Sequence, residues 1–347
     1  MAMEYTNDSY DYYDYDSNVT APPINIGIVK SPAIDWIALF QYSLVVLLGV
    51  PGNGLVVWIT AFEMKRTVNT IWFLNLSVAD LLCCLSAPFN MMTMTLRYWP
   101  LGLYACKFIS SILLINMYAS VFLLTVISID RCLLVMKPVW CQNNRTLRKA
   151  YVACVVIWML AVILSSPSLI LRNIRSCNGK EECVIDFKLL RHYRKTVEDF
   201  LGLCRLLIGF VIPFLVIIGC YAMLMYRVKL RFTQNTKTIR VAIVVIIGFF
   251  VCWLPYHVAI AIVTLHSVSS PLYQPTLDII NIFIALAFLN SCINPIIYVL
   301  MGRDLKSKFK RSFKVILKSV LEEDTNASFD SNRANLTSET KSTETST

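Results

Sequence analysis

Seven long apolar runs dominate this chain and leave few folds open to it. They fall at roughly 34–60, 69–96, 104–136, 148–171, 198–227, 238–266 and 276–301. A bilayer core about 30 Å thick takes about 20 residues of helix to cross, and each run is long enough. In lipid every backbone polar group must find its partner inside the protein, so only helices or a closed barrel can span. The runs are continuous, not alternating segments of about ten residues, which disfavours a barrel. With 56% hydrophobic and 16% charged residues, the chain is too apolar for an ordinary soluble domain. The predicted fold is an all-α membrane protein. It has an acidic arm (1–33), a seven-transmembrane helix bundle (34–301), a short amphipathic juxtamembrane helix (302–318) and a Ser/Thr-rich tail (319–347).

The net charge of +10 is unevenly spread. Lys65, Arg66, Lys137, Arg145, Arg148, Lys149, Arg227, Lys229, Arg231, Lys237 and Arg240 fall in alternate loops, and Arg303 to Lys314 follow the last run. The positive-inside rule puts those loops and the C-terminus in the cytoplasm and the N-terminus outside. The basic balance then suits anionic lipid or an acidic cytoplasmic partner better than nucleic acid. No basic start followed by an apolar core marks a cleavable signal peptide, so the first span is expected to serve as its own signal.

On the predicted outer side, Tyr10, Tyr12, Tyr13 and Tyr15 alternate with acids, and no basic residue precedes Lys30. Such a segment is a solvated tail, or an anionic arm with sulfated tyrosines that captures a basic partner. Asn7 and Asn18 head glycosylation sequons there, whereas those at Asn75, Asn144, Asn326 and Asn335 are hidden by the topology. Most of the twelve cysteines lie within spans, as small apolar residues. Cys106, Cys177 and Cys183 lie outside, where a disulfide is favoured.

Polar residues within spans are costly and mark function. Asp80 is the clearest. Asn116 and Ser120 share a helix face, as do Asn290 and Asn294, and together they could surround Asp80 as a small polar cavity able to take a sodium ion. The third run ends in Asp130-Arg131, expected as an ionic latch. Glu198 and Arg205 share a face of the fifth run, either as a packed ion pair or as a site for a ligand carboxylate. Cys252-Trp253-Leu254-Pro255-Tyr256-His257 puts a bulky ring two residues before a helix-kinking proline, and Asn294-Pro295-Ile296-Ile297-Tyr298 repeats the device. Other classes fit poorly. A transporter would show related halves with broken helices. A retinal protein needs a lysine in the seventh run, and an enzyme such as a zinc protease needs a ligand spacing that His192, His257 and His266 lack.

This ordered set, one signature per span, resembles the rhodopsin-like G-protein-coupled receptor family over residues of about 34–315. Asn53, Asp80, Arg131, Trp158, Pro213, Pro255 and Pro295 match its mark in each helix, and Cys106 with a loop cysteine matches its disulfide, taken here as Cys106–Cys183 with Cys177 unpaired. Within the family, Ile71 to Leu82, Val50-Pro51-Gly52-Asn53, Lys137 to Gln142 and Cys183 to Phe187 are similar to the anaphylatoxin receptors of the chemoattractant group.

The resemblance implies a plasma-membrane receptor and a basic protein ligand, complement component 5a. The acidic arm would catch the ligand, and its tail would then enter the bundle near Arg172, Glu198, Arg205 and Tyr256. It also implies a heterotrimeric G protein of the inhibitory class, gated by Asp130, Arg131, Tyr221, Trp253, Pro255, Asn294, Pro295 and Tyr298, with arrestin and receptor kinases at the tail. A formyl-peptide or chemerin type receptor is the runner-up, and a non-signalling scavenger is third. Two positions depart from the pattern. Cys132 follows Arg131 where most relatives carry an aromatic, and Ile280 stands where the group has an acid, with Asp278 two positions away.

Overall fold

In the computed structural model, residues 32–177, 179–231, 236–266 and 270–301 are described. Asn7, Asn18, the four arm tyrosines, the amphipathic segment and the Ser/Thr tail lie outside them. Seven helices are long and apolar enough to cross a membrane. The first runs from Pro32 to Glu63 with π-type turns at Val45–Gly49 and Ile59–Glu63. The second is Val68–Leu96, the third Gly102–Met136 and the fourth Leu147–Leu171. The fifth is Arg194–Leu206, a π-type turn at Leu207–Val211, then Ile212–Arg231. The sixth is Thr236–Leu265 and the seventh Tyr273–Met301. The expected all-α bundle is the one observed.

The helix boundaries have local causes. Thr67 accepts from the Thr70 amide while Thr70 accepts from the Thr67 amide, a reciprocal cap that starts the second helix. Thr146 caps the fourth. The widened turn of the fifth helix ends just before Pro213, whose missing N–H breaks the regular ladder. That turn also brings Gly209 against the third helix. A Cβ at Gly209 would lie 2.8 Å from Met117 Cε.

Fully buried Leu76, Met117, Phe249, Trp253 and Phe288 fill the bundle axis. Trp58, Met159, Leu215 and Val251 point outward, apolar faces that suit lipid. Polar groups stitch the helices where hydrocarbon offers no water. Asn53 Nδ2 donates to the Ser291 carbonyl at 2.8 Å, and Trp158 Nε1 donates to Asn75 Oδ1 at 3.0 Å.

Two elements were not foreseen. The loop after the fourth helix is an antiparallel hairpin, β1 (Arg172–Cys177) and β2 (Lys180–Ile185), with Arg172 opposite Ile185. The loop after the third helix forms a short helix, Pro138–Asn144. Cys106 at the start of the third helix is bonded to Cys183 of β2, with Cα atoms 5.6 Å apart, and Cys177 is free and exposed. Both follow the expectation. The Trp99 amide adds a hydrogen bond to Glu181 of β2 at 2.7 Å, so the hairpin is held over that end of the bundle.

Candidate functional site

A cavity of about 820 Å³ opens beneath the hairpin. Arg172, Glu198, Arg205 and Tyr256 all line it, so the structure gathers the four residues proposed for ligand contact. Of the two arrangements open to Glu198 and Arg205, the packed ion pair is not formed. Glu198 takes its ion pair from Arg194, one turn earlier, at 2.9 Å. Arg205 donates instead to the Tyr256 hydroxyl at 3.2 Å. Seven residues of helix separate Glu198 from Arg205 by about 10 Å of rise, whereas the i,i+4 geometry brings Arg194 directly beside Glu198. Arg172 donates to the Cys183 carbonyl at 3.4 Å, and its Nε has no protein partner. Burial lowers the Arg172 pKa to about 10, with Tyr256 opposing and Arg205 adding to the shift, so the guanidinium stays charged at neutral pH.

A chain of rings leads down from that floor. Tyr256 meets Trp253 edge-on at 5.8 Å, and Trp253 lies 6.0 Å from Phe249. Pro255 sits among these rings inside the sixth helix. His257 packs against Phe210 at 4.8 Å, which fits a packing role.

At mid-bundle, Asp80 is completely buried. Its two carboxylate oxygens accept from Asn116 at 3.1 Å and Asn294 at 2.6 Å, and Asn116 Nδ2 also reaches Ser120 Oγ at 3.4 Å. Asn290 is buried nearby on the seventh helix, but its Nδ2 has no partner. The oxygens Ser77 Oγ, Asn116 Oδ1 and Ser291 Oγ are likewise buried and unpartnered. A carboxylate flanked by unsatisfied neutral oxygens is a donor set that fits a hard monovalent cation.

At the opposite end the expected Asp130–Arg131 latch is absent from the ion pairs of the described residues. Asp130 is gripped by Arg145, from the loop before the fourth helix, through Nε at 2.7 Å and Nη2 at 3.0 Å. Arg145 Nη2 also donates to Asn69 Oδ1 at 2.6 Å. Arg145 closes a two-pronged contact on both carboxylate oxygens from the loop, and so outcompetes the neighbouring Arg131 for Asp130. Arg131 is half-buried near Tyr221, whose hydroxyl is unpartnered. Pro295 lies within the seventh helix, and Tyr298 follows one turn later.

Sequence reasoning missed Arg145 and Asn69 as part of this site, having counted Arg145 only as an inside charge. It also missed Asn281, whose buried Nδ2 on the cavity wall lacks a partner. Asn69 is the second residue of a helix with a conspicuous cap, which was the available signal.

A seven-helix membrane bundle with a cavity under the hairpin at one end, a polar mid-bundle knot and an acid–arginine pair at the far end is the architecture of a transmembrane receptor. Residues 52–298 match the family described as 7 transmembrane receptor (rhodopsin family), and the chain belongs to it. It is therefore a multi-pass receptor of the plasma membrane. The C5a anaphylatoxin chemotactic receptor 1 of Oryctolagus cuniculus is 41% identical over 325 residues, covering 92% of each chain. The Homo sapiens receptor of that name is 39% identical over 328 residues, covering 93% of each. The C3a anaphylatoxin chemotactic receptor of Danio rerio is also 39% identical over 328 residues, covering 93% of this chain and 87% of that one.

Proposed function

We propose that this receptor signals in response to complement component 5a through a heterotrimeric G protein of the inhibitory class. The observation that carries this reading is the cavity itself. It presents two arginines, Arg172 and Arg205, to an entering chain end, and Tyr256 couples Arg205 to the ring stack. The names of the relatives supply the ligand class. In this reading the hairpin end faces outward. The acidic tyrosine arm, sulfated and glycosylated at Asn7 and Asn18, captures the basic ligand, whose C-terminal tail then descends.

The ligand moves the equilibrium only by its differential affinity for two states. Contacts at Arg205 and Tyr256 bias Trp253, and the sixth helix pivots at Pro255. Arg131 then meets the G protein, supported by Tyr221 and Tyr298. Asp80 with Asn116, Ser120, Asn290 and Asn294 holds a sodium ion that favours the resting state. The C-terminal tail, once phosphorylated by receptor kinases, engages arrestin.

The test is G-protein activation in cells bearing this receptor, titrated with complement components 5a and 3a from the same species. Formyl peptide and chemerin run alongside. A saturable response to component 5a at concentrations where the others are silent is expected. A response to component 3a alone would select the second reading, which the Danio rerio relative favours. Binding of component 5a without G-protein output would point to a scavenger and to Cys132 as its cause.

A further inference from the structure

The free polar groups in the cavity are one-sided. Arg172 Nε and Asn281 Nδ2 are buried donors with no protein partner. Arg205 spends one Nη on the Tyr256 hydroxyl, and among the described residues no carboxylate forms an ion pair with it. The acids on the cavity wall among the described residues are Glu182 and Glu198. Glu198 is held by Arg194, and Glu182 sits on β2 opposite Arg175. The seventh helix gives the cavity Tyr273, Asn281, Ile284 and Phe288 and no acid. Its nearest carboxylate, Asp278, lies off the cavity wall and accepts from Gln274 at 3.1 Å. Ile280 is buried in packing.

We infer that this cavity selects a ligand segment ending in a free carboxylate on an uncharged side chain, and discriminates against a terminal arginine or lysine. The inference rests on the reading of the cavity as the agonist site, and deepens it. A terminal carboxylate can collect charge-assisted bonds from Arg172 and Arg205, and Asn281 can donate to the last peptide carbonyl. A cationic terminal side chain entering the same space meets two guanidinium groups and finds no free counter-charge on the seventh helix. It must either stay unpaired in a desolvated site or compete with Arg194 for Glu198, or for Glu182 on β2. Discrimination built from like-charge repulsion of this kind is worth about tenfold or more.

The test uses the full-length receptor in membranes. Component 5a is prepared in three forms that differ only at the last residue: leucine with a free carboxylate, arginine with a free carboxylate, and leucine amide. Competition binding and G-protein activation are read for each, on the natural receptor and on Asn281→Asp. On the natural receptor the leucine acid is expected to be at least about tenfold more potent than both the arginine acid and the leucine amide. Asn281→Asp places a carboxylate on the cavity wall with little change in volume, and should reverse the order of the leucine and arginine acids. Equal potency of all three forms, or an arginine acid as good as the leucine acid on the natural receptor, refutes the selectivity while leaving the ligand in place. No response to any form, with the receptor shown at the surface, refutes the ligand assignment, and the selectivity falls with it.

Discussion

Removing Arg145 is expected to weaken signalling by handing Arg131 to Asp130. Arg145 grips both oxygens of Asp130, and that grip leaves Arg131 without an ion-pair partner among the described residues. In Arg145→Ala the buried carboxylate loses its cation, and the nearest replacement is the neighbouring guanidinium. Two unit charges 4 Å apart attract by about 4 kcal/mol at an effective dielectric of 20. The Asp130 side chain is 11% exposed and Arg131 is half-buried, so solvent screening cuts the useful part to about 1–2 kcal/mol. Releasing Arg131 to the G protein then costs about 1–2 kcal/mol more, a factor of about 5–30 in coupling.

The assay is nucleotide exchange on purified G protein by receptor-bearing membranes, with ligand affinity measured in parallel without G protein. Arg145→Ala should lower the exchange rate by that factor and leave affinity unchanged. Asp130→Asn in the same chain removes the captor and should restore exchange, giving a coupling free energy between the two sites. Full activity in Arg145→Ala, or failure of Asp130→Asn to rescue it, would refute the competition between Arg145 and Arg131.

Other consequences can be measured directly. Arg131→Ala should abolish G-protein activation while surface expression, read by antibody labelling of intact cells, is retained. Asp80→Asn should abolish the dependence of agonist affinity on sodium, compared in sodium chloride and choline chloride. Gly49→Ala places a Cβ against the Cys84 and Cys292 sulfurs at the contact of the first, second and seventh helices. It should cost about 1–3 kcal/mol of stability, seen as a lower melting temperature in detergent. Cys183→Ser frees β2 from the third helix and should weaken ligand binding much more than it lowers expression. Cys177→Ser, on the exposed hairpin tip, should change neither.

The sequence by itself determined the bundle and its membrane setting. Apolar length is a local property, and a bilayer accepts only structures that satisfy their own backbone, so seven long runs admit one architecture. Asp80 was legible for the same reason, because a charge amid apolar neighbours is visible without knowing what surrounds it. Trp253 beside Pro255 was legible as a local kink.

Partnerships were not legible, because they depend on which loop or helix face arrives from far along the chain. Asp130 was expected to hold its neighbour Arg131, yet it holds Arg145, fifteen residues on, where a short helix turns the loop back beneath the bundle. Glu198 and Arg205 share a face in projection, but axial rise separates them and hands one to Arg194 and the other to Tyr256. The hairpin over the cavity escaped notice because its strands are short and polar, and a disulfide with a hydrogen bond to the Trp99 amide holds it there. Asn281 looked like any other polar residue in a span. Only the packing of the seventh helix against an open cavity leaves its amide buried and without a partner.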